Sequence, residues 1–169
     1  MRPRVNWNEM RTPPNGYKKN GTLKTDWKWV VGIDPGTHTG FAVYSVQRRA
    51  FAEIQTLSFW EAFDRVTEYP VETTKVVVEV PSTKAVWQTL PKTGLRTLQR
   101  QAVNVGGVLR EAELLADGLF NAGYLVIRAH PIGKTDKKRF QRITGFMDRL
   151  NQHQRDAGML CWGGRPTSF

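Results

Sequence analysis

Apolar and polar positions fall along this chain in blocks whose period switches between that of a strand and that of a helix. Residues 28–34 (KWVVGID), 39–46 (TGFAVYSV) and 49–56 (RAFAEIQT) are short and β-rich. The turn PGTHTG and the pair Gln47-Arg48 divide them, which predicts three strands in an antiparallel meander. Residues 58–69 (SFWEAFDRVTEY) then place Phe59, Phe63 and Val66 at helical spacing, with Ser58 as the N-cap. KVVVEVP, 75–81, is a β-branched run suited to a strand buried on both faces. Residues 82–94 read as a loop.

From 95 to 121 the apolar positions Leu95, Leu98, Ala102, Val105, Leu109, Ala112, Leu115 and Leu119 predict one long helix. Gly106-Gly107 inside it costs about 1 kcal/mol per glycine relative to alanine, so close packing is expected there. YLVIRA, 124–129, is a strand ended by Pro131, and a basic segment, 134–145, precedes a last helix near 150–162. The order β-β-β-α-β-α-β-α predicts an α/β domain, a mixed five-stranded sheet with helices on both faces. Residues 1–27 are polar, basic and rich in Pro, Gly and Asn, and read as a flexible N-terminal arm. Residues 28–169 read as a single domain.

A chain of 169 residues is long enough to bury roughly 70% of its unfolded surface. Its 40% hydrophobic and 11% aromatic content suit a soluble core. No apolar run approaches the ~18 residues that span a bilayer, so no membrane partner is expected. The first residues lack the apolar core of a secretory signal. The single cysteine, Cys161, excludes an internal disulfide framework and a cysteine-rich zinc site, and points to a reducing, cytoplasmic compartment.

Charge changes the picture more. The net charge is +10, with a net of +5 in residues 1–29, another +5 in 129–169, and balance between them. Even in the balanced middle, Lys84, Lys92, Arg96, Arg100 and Arg110 follow one another with no acid between Pro81 and Arg110. Basic stretches on an otherwise balanced domain point to a polyanion, of which nucleic acid is the commonest. A merely soluble basic surface is the plainer reading.

Three acids stand out against this background. Asp34 ends the first predicted strand, Glu79 interrupts Val76-Val77-Val78 and Val80, and Asp156 lies in the opening turns of the last helix. Taken alone, Asp34 also fits an Asx-turn over the Pro-Gly, and Asp156 a helix-start acid favoured by the macrodipole. Glu79 is harder to explain away, because a central strand is a costly place for an ionised carboxylate without a cation. Strands 28–34 and 75–80 are expected side by side, each ending in an acid. Such acids repel unless a divalent ion sits among them, and Mg²⁺ takes hard oxygen ligands while bridging to phosphate. Two such ions ~4 Å apart activate a water and stabilise the leaving oxygen at phosphorus. His153, three residues before Asp156, shares its helical face as a candidate ligand or proton carrier. His38 reads as a turn residue and His130 as a strand end.

GIDPGTHTGFAV, VVVEVPS, NVGGVLREAE at 104–113 and the terminal HQRDAGML together resemble the RuvC-like family of Holliday-junction resolvases. The resemblance covers about residues 28–162 and implies the RNase H-like fold of the retroviral integrase superfamily. It implies that Asp34, Glu79 and Asp156 hold the metal, Mg²⁺ with Mn²⁺ as a substitute and two ions per site. Many members carry another aspartate where His153 stands, and some carry histidine. Lysines before the last helix bind phosphate or assist catalysis in the family. Lys134, Lys137 and Lys138 fall in that region, with Lys134 the catalytic candidate. Trp87 is the candidate for the aromatic that opens the junction, although a core residue under the loop is an equal reading. The DNA-binding set expected on this basis is Lys84, Trp87, Lys92, Arg96, Arg100, Lys134, Lys137, Lys138, Arg139 and Arg142. The family also implies a two-fold homodimer, for which Ala102 and Gly106-Gly107 offer a self-complementary helix face. The N-terminal arm is expected on the DNA backbone.

The implied activity is therefore metal-assisted hydrolysis of a four-way DNA junction by paired nicks that leave 5′-phosphates, in a bacterial or phage-infected cell. A nuclease of the same fold for other branched or single-stranded DNA, or for structured RNA, fits the same residues. DPGTHTG also resembles the phosphate turn of sugar kinases and actin-like ATPases, but those need a second similar domain that 169 residues do not accommodate. A non-catalytic architectural DNA-binding protein would gain nothing from acids facing a phosphate backbone.

Overall fold

The computed structural model describes residues 26–81, 95–131 and 133–164, leaving out the side chains of 95–99 and 101. Five strands form one sheet: β1 (Trp29–Asp34), β2 (Thr39–Ser45), β3 (Ala50–Leu57), β4 (Thr74–Glu79) and β5 (Leu125–Ala129). Their spatial order is β3-β2-β1-β4-β5. The first three make the expected antiparallel meander, whereas β1–β4 and β4–β5 are parallel. Among the described residues the helices are α1 (Phe59–Thr67), α2 (Leu95–Asn121), α3 (Lys137–Thr144) and α4 (Gln152–Gly164), with a 3-10 turn at Val71–Thr73.

Parallel neighbours require crossovers, and α2 carries the chain from β4 back to the start of β5. The central strands β1, β2 and β4 are buried almost throughout, as their apolar runs require, and the edge strands β3 and β5 are half exposed. One core lies between the sheet and α1 and α2, where Val31, Ile33, Phe41, Val43, Val76 and Val78 meet Ala112, Leu115, Ala116 and Leu119. The other lies under α4, where Val30, Ala42, Tyr44 and Val77 meet Ala157, Leu160 and Cys161. Helices thus cover both faces. Ser58 caps α1 as expected, in a reciprocal box with Glu61.

Three expectations change. The basic segment after β5 contains a helix, α3, capped by Asp136 at its start and by Gly145 at φ 71° at its end. Trp27, assigned above to the arm, is only 4% exposed and belongs to the domain. Among the described residues nothing lies within 4 Å of a side chain added at Gly106 or Gly107. The buried residues described in α2, Ala112, Leu115, Ala116 and Leu119, lie in its second half, and in the first Ala102 and Val103 are exposed. Residues 1–25 of the arm lie outside the described residues, and so does the loop 82–94. Among the described residues, no helix is long and apolar enough to cross a membrane.

Candidate active site at the carboxyl edge of the sheet

The pairing of β1 with β4 puts Ile33 opposite Val78, so one residue on, Asp34 lies beside Glu79. Alternation along each strand puts Asp34 on the face of Val30 and Gly32, and Glu79 on the face of Val77. Those valines pack against α4. Both acids therefore point toward α4, from the carboxyl ends of adjacent parallel strands.

The start of α4 is pinned above them. The Asn151 side chain accepts from the Gln154 N–H, and the Gln154 side chain accepts from the Asn151 N–H, a reciprocal cap. The Asn151 amide also donates to Thr56 Oγ1 on β3, at 2.9 Å. What brings the helix down onto the sheet is glycine. A Cβ on Gly40 would stand 2.0 Å from the His153 carbonyl oxygen, and one on Gly32 would stand 2.2 Å from that of Ala157. No larger residue fits either position without moving α4.

At this approach His153 Nδ1 lies 2.8 Å from Asp34 Oδ2. The carboxylate of Asp34 is thus engaged across the fold, and Thr39 Oγ1 closes the turn by donating to the Gly36 carbonyl. The Asp34 side chain is 12% exposed and that of His153 is 48% exposed, so the imidazole forms the solvent side of the pair. Burial raises the pKa of Asp34, and the bond to His153 only partly opposes this. Glu79 is pushed up to about 7, first by burial and then by repulsion from Asp34 and Asp156. Asp34 and Glu79 both feel the charge of Asp156, and burial with this repulsion disfavours their ionised forms.

Asp156, one turn beyond His153, is oriented by Gln152, whose amide donates to Asp156 Oδ1 at 2.7 Å and to the Thr135 carbonyl at 3.3 Å. Arg155 reinforces this link, donating to the carbonyls of Thr135 and Leu150 and to Gln152 Oε1. The segment before α3 is thereby tied to α4. Between them opens a cleft of about 230 Å³ lined by Glu79, Lys134, Thr135, Arg139, Asp156 and Leu160. Two acids and two cations line it together.

The donor chemistry suits a hard divalent ion: oxygen ligands, an imidazole, and mutual repulsion that a cation would relieve. Among the described residues, no three of these groups converge closely enough to cage an ion on their own. Mg²⁺ does not require such a cage, since one or two carboxylates with waters and substrate phosphates suffice. The residues that could serve such an ion, with waters completing its shell, are Asp34 and Glu79 on the strands and Asp156 and His153 on the helix.

The fold thus gathers Asp34, Glu79, His153, Asp156, Lys134 and Arg139. Lys137, Lys138 and Arg142 are exposed on α3, outside the cleft, and Arg100 is exposed on the first half of α2. Lys84, Trp87, Lys92 and the side chain of Arg96 lie outside the described residues. His38 lies in the β1–β2 turn and His130 just past β5, both exposed. Sequence reasoning missed Gln152 and Arg155. The four-residue spacing of Gln152 and Asp156 on a helix was the available signal for the first, while Arg155 acts through backbone carbonyls that leave no pattern. It also missed Gly32 and Gly40, whose role depends on a helix more than a hundred residues away. No family model matches the chain, and no curated protein matches it at a significant level.

Proposed function

We propose that this protein is a metal-dependent endonuclease of the RNase H-like fold that cuts phosphodiester bonds in branched DNA, the four-way junction foremost. The observation that carries the reading is the pairing of Asp34 with Glu79 at the ends of adjacent parallel strands, under a helix that presents His153 and Asp156. Such a set with no cation to bind would be a liability, because burial and the charges of Asp34 and Asp156 disfavour ionised Glu79. The element order and the two-sided helical packing are consistent with the resemblance of GIDPGTHTG, VVVEVPS and HQRDAGML to the RuvC-like resolvases.

Bound Mg²⁺ would supply an activated water and charge stabilisation at the leaving oxygen. The chain's own residues do the rest. Asp34 and Glu79 fix the acid pair rigidly, since both are borne on strands. Asp156, held by Gln152, completes the set from above. His153 faces solvent and can accept the proton released from the attacking water. Lys134 and Arg139, which line the cleft, balance the charge that builds on the phosphate. The exposed cations of α3 extend the same surface for the DNA backbone, where contacts position the substrate without reading sequence. Exposed Gly106 and Gly107 on α2 leave room for a two-fold dimer, which would set two such sites against opposed strands.

The test is cleavage of an end-labelled synthetic four-way junction beside matched fork, duplex, single-strand and structured-RNA substrates. Paired symmetric nicks confined to the junction, with 5′-phosphate ends, are expected. Equal cutting of forks would retain the nuclease and widen its substrate. Binding without cutting under any divalent ion would leave an architectural protein.

A further inference from the structure

A second cavity, about 140 Å³, lies at the far end of α4. Tyr44 and Phe51 of the β2–β3 hairpin, Phe146 just past α3, Trp162 near the end of α4, and Arg49 in the hairpin turn line it. The rings form a connected set. Tyr44 meets Phe51 and Trp162 edge-on, Phe51 stacks with Trp162, and Phe146 meets Phe51 edge-on. The space is open to solvent on one side, a surface recess with aromatic rings in its walls. Arg49 stands exposed beside it with φ 53°, a left-handed conformation uncommon for a residue with a side chain.

Helix α3 joins this cavity to the catalytic cleft. Its Arg139 lines the cleft, and its last residue, Thr144, lines the aromatic cavity. Phe140 locks the helix down: it is 1% exposed, stacks with Phe51, and sits where a Cβ on Gly158 would come within 2.8 Å of its ring. With its apolar anchor inward, α3 leaves Lys137, Lys138, Arg139 and Arg142 exposed. A cationic surface therefore runs from the acids to the aromatic cavity. Along α4, Asp156 and Trp162 are six residues apart, about 9 Å, or two to three nucleotides at the ~3.4 Å stacked spacing.

We propose that the aromatic cavity is a stacking site for an unpaired nucleobase of the strand held in the catalytic cleft. The proposal rests on the nuclease reading and adds to it a specific subsite. A base offers two flat apolar faces to the rings, Arg49 offers a guanidinium plane or a phosphate contact, and the cations of α3 carry the intervening phosphates. A fully paired duplex has no base to donate. Occupancy of this cavity therefore favours substrates with unpaired or opened nucleotides two to three positions from the cut.

The test uses the full chain with Glu79→Gln, so that DNA is bound without being cut, and a branched DNA carrying 5-iodo-deoxyuridine at successive positions of one arm. After irradiation, the cross-linked peptides are identified by mass spectrometry. Cross-links to residues 143–149 or to Trp162, from a narrow window of probe positions, are expected. In parallel, Phe146→Ala and the surface change Arg49→Ala are expected to weaken binding of the branched DNA about tenfold, with little loss on duplex of the same length. Binding that persists with cross-links only elsewhere, or with affinity unchanged in Arg49→Ala and in folded Phe146→Ala, overturns the subsite and leaves the nuclease standing. Failure of the unaltered chain to retain any nucleic acid overturns both.

Discussion

The face of the sheet under α1 and α2 and the face under α4 are made of different material. On the first, branched and aromatic side chains from β1, β2 and β4 interlock with Leu115 and Leu119, and the cluster contains no charged group. On the second, the strands offer Gly32, Gly40 and Ala42, and the helix answers with Ala157, Gly158 and Cys161. The backbone of α4 comes so close that Cys161 Sγ lies 3.3 Å from the Val30 carbonyl and 3.1 Å from that of Ala42. The first face gains stability from buried volume. The second keeps bulk at Val30, Tyr44, Val77 and Leu160 but gives up volume at Gly32 and Gly40, so that a helix can reach the strand ends and bring His153 and Asp156 to Asp34 and Glu79. One sheet therefore separates holding the fold from holding the site.

The comparison breaks most severely at Gly40. Alanine there must displace the His153 carbonyl, and Gly40→Ala is expected to lose more than ~3 kcal/mol in urea unfolding together with all cleavage, or to fold with α4 displaced. On the opposite face, Leu115→Ala should cost about 3 kcal/mol by the same measurement while the folded fraction cuts normally, because the cavity opens away from the acids. Equal loss of activity per folded molecule in both variants would show that the two faces are not separable.

Glu79→Gln sharpens the contrast by reversing its sign. The folded-state pKa of Glu79, about 7, lies above its ordinary 4.5. The folded state thus holds the proton more tightly, which favours folding at low pH, and this contribution is lost as pH rises through 7. In metal-free buffer at pH 8, Glu79→Gln should be more stable than the unaltered chain by on the order of 1–2 kcal/mol, after allowance for partial solvent screening. Near pH 4.5 the two should unfold alike. A variant less stable at both pH values would mean that Glu79 is a structural residue. The smallest effect is expected at the cap: Asn151→Ala removes the bonds to Gln154 and Thr56 and should cost about 1 kcal/mol, with a fall in cleavage as the start of α4 frays.

Much of this was legible before the structure. Short β-rich runs located β1 to β5, and helical spacing of apolar residues located α1 and α2, to within a residue or two, while α4 was expected near 150–162 and spans Gln152–Gly164. Asp34 and Glu79 were legible because an acid at the end of a buried strand conflicts with its surroundings, and such conflicts mark sites. The helix α3 was hidden because it is short and its only apolar positions, the buried Phe140 and the half-buried Ile143, are too few to establish a period among its cations. Gly106-Gly107 misled in the other direction: glycines in a helix imply close approach to something, and among the described residues nothing approaches them. Gly40 was read as part of a turn, since its true constraint is a carbonyl 113 residues further along the chain. Long-range backbone contacts leave no periodic trace.

The central claim is that the acids at the strand ends act through a divalent cation. The direct measurement is single-turnover cleavage of a labelled four-way junction across a Mg²⁺ titration, for the unaltered chain and for Glu79→Gln with DNA binding measured alongside. The account predicts nicking that rises from nothing with Mg²⁺ and is abolished in Glu79→Gln while the junction is still bound. Nicking that persists in chelator, or that survives in Glu79→Gln, would contradict it.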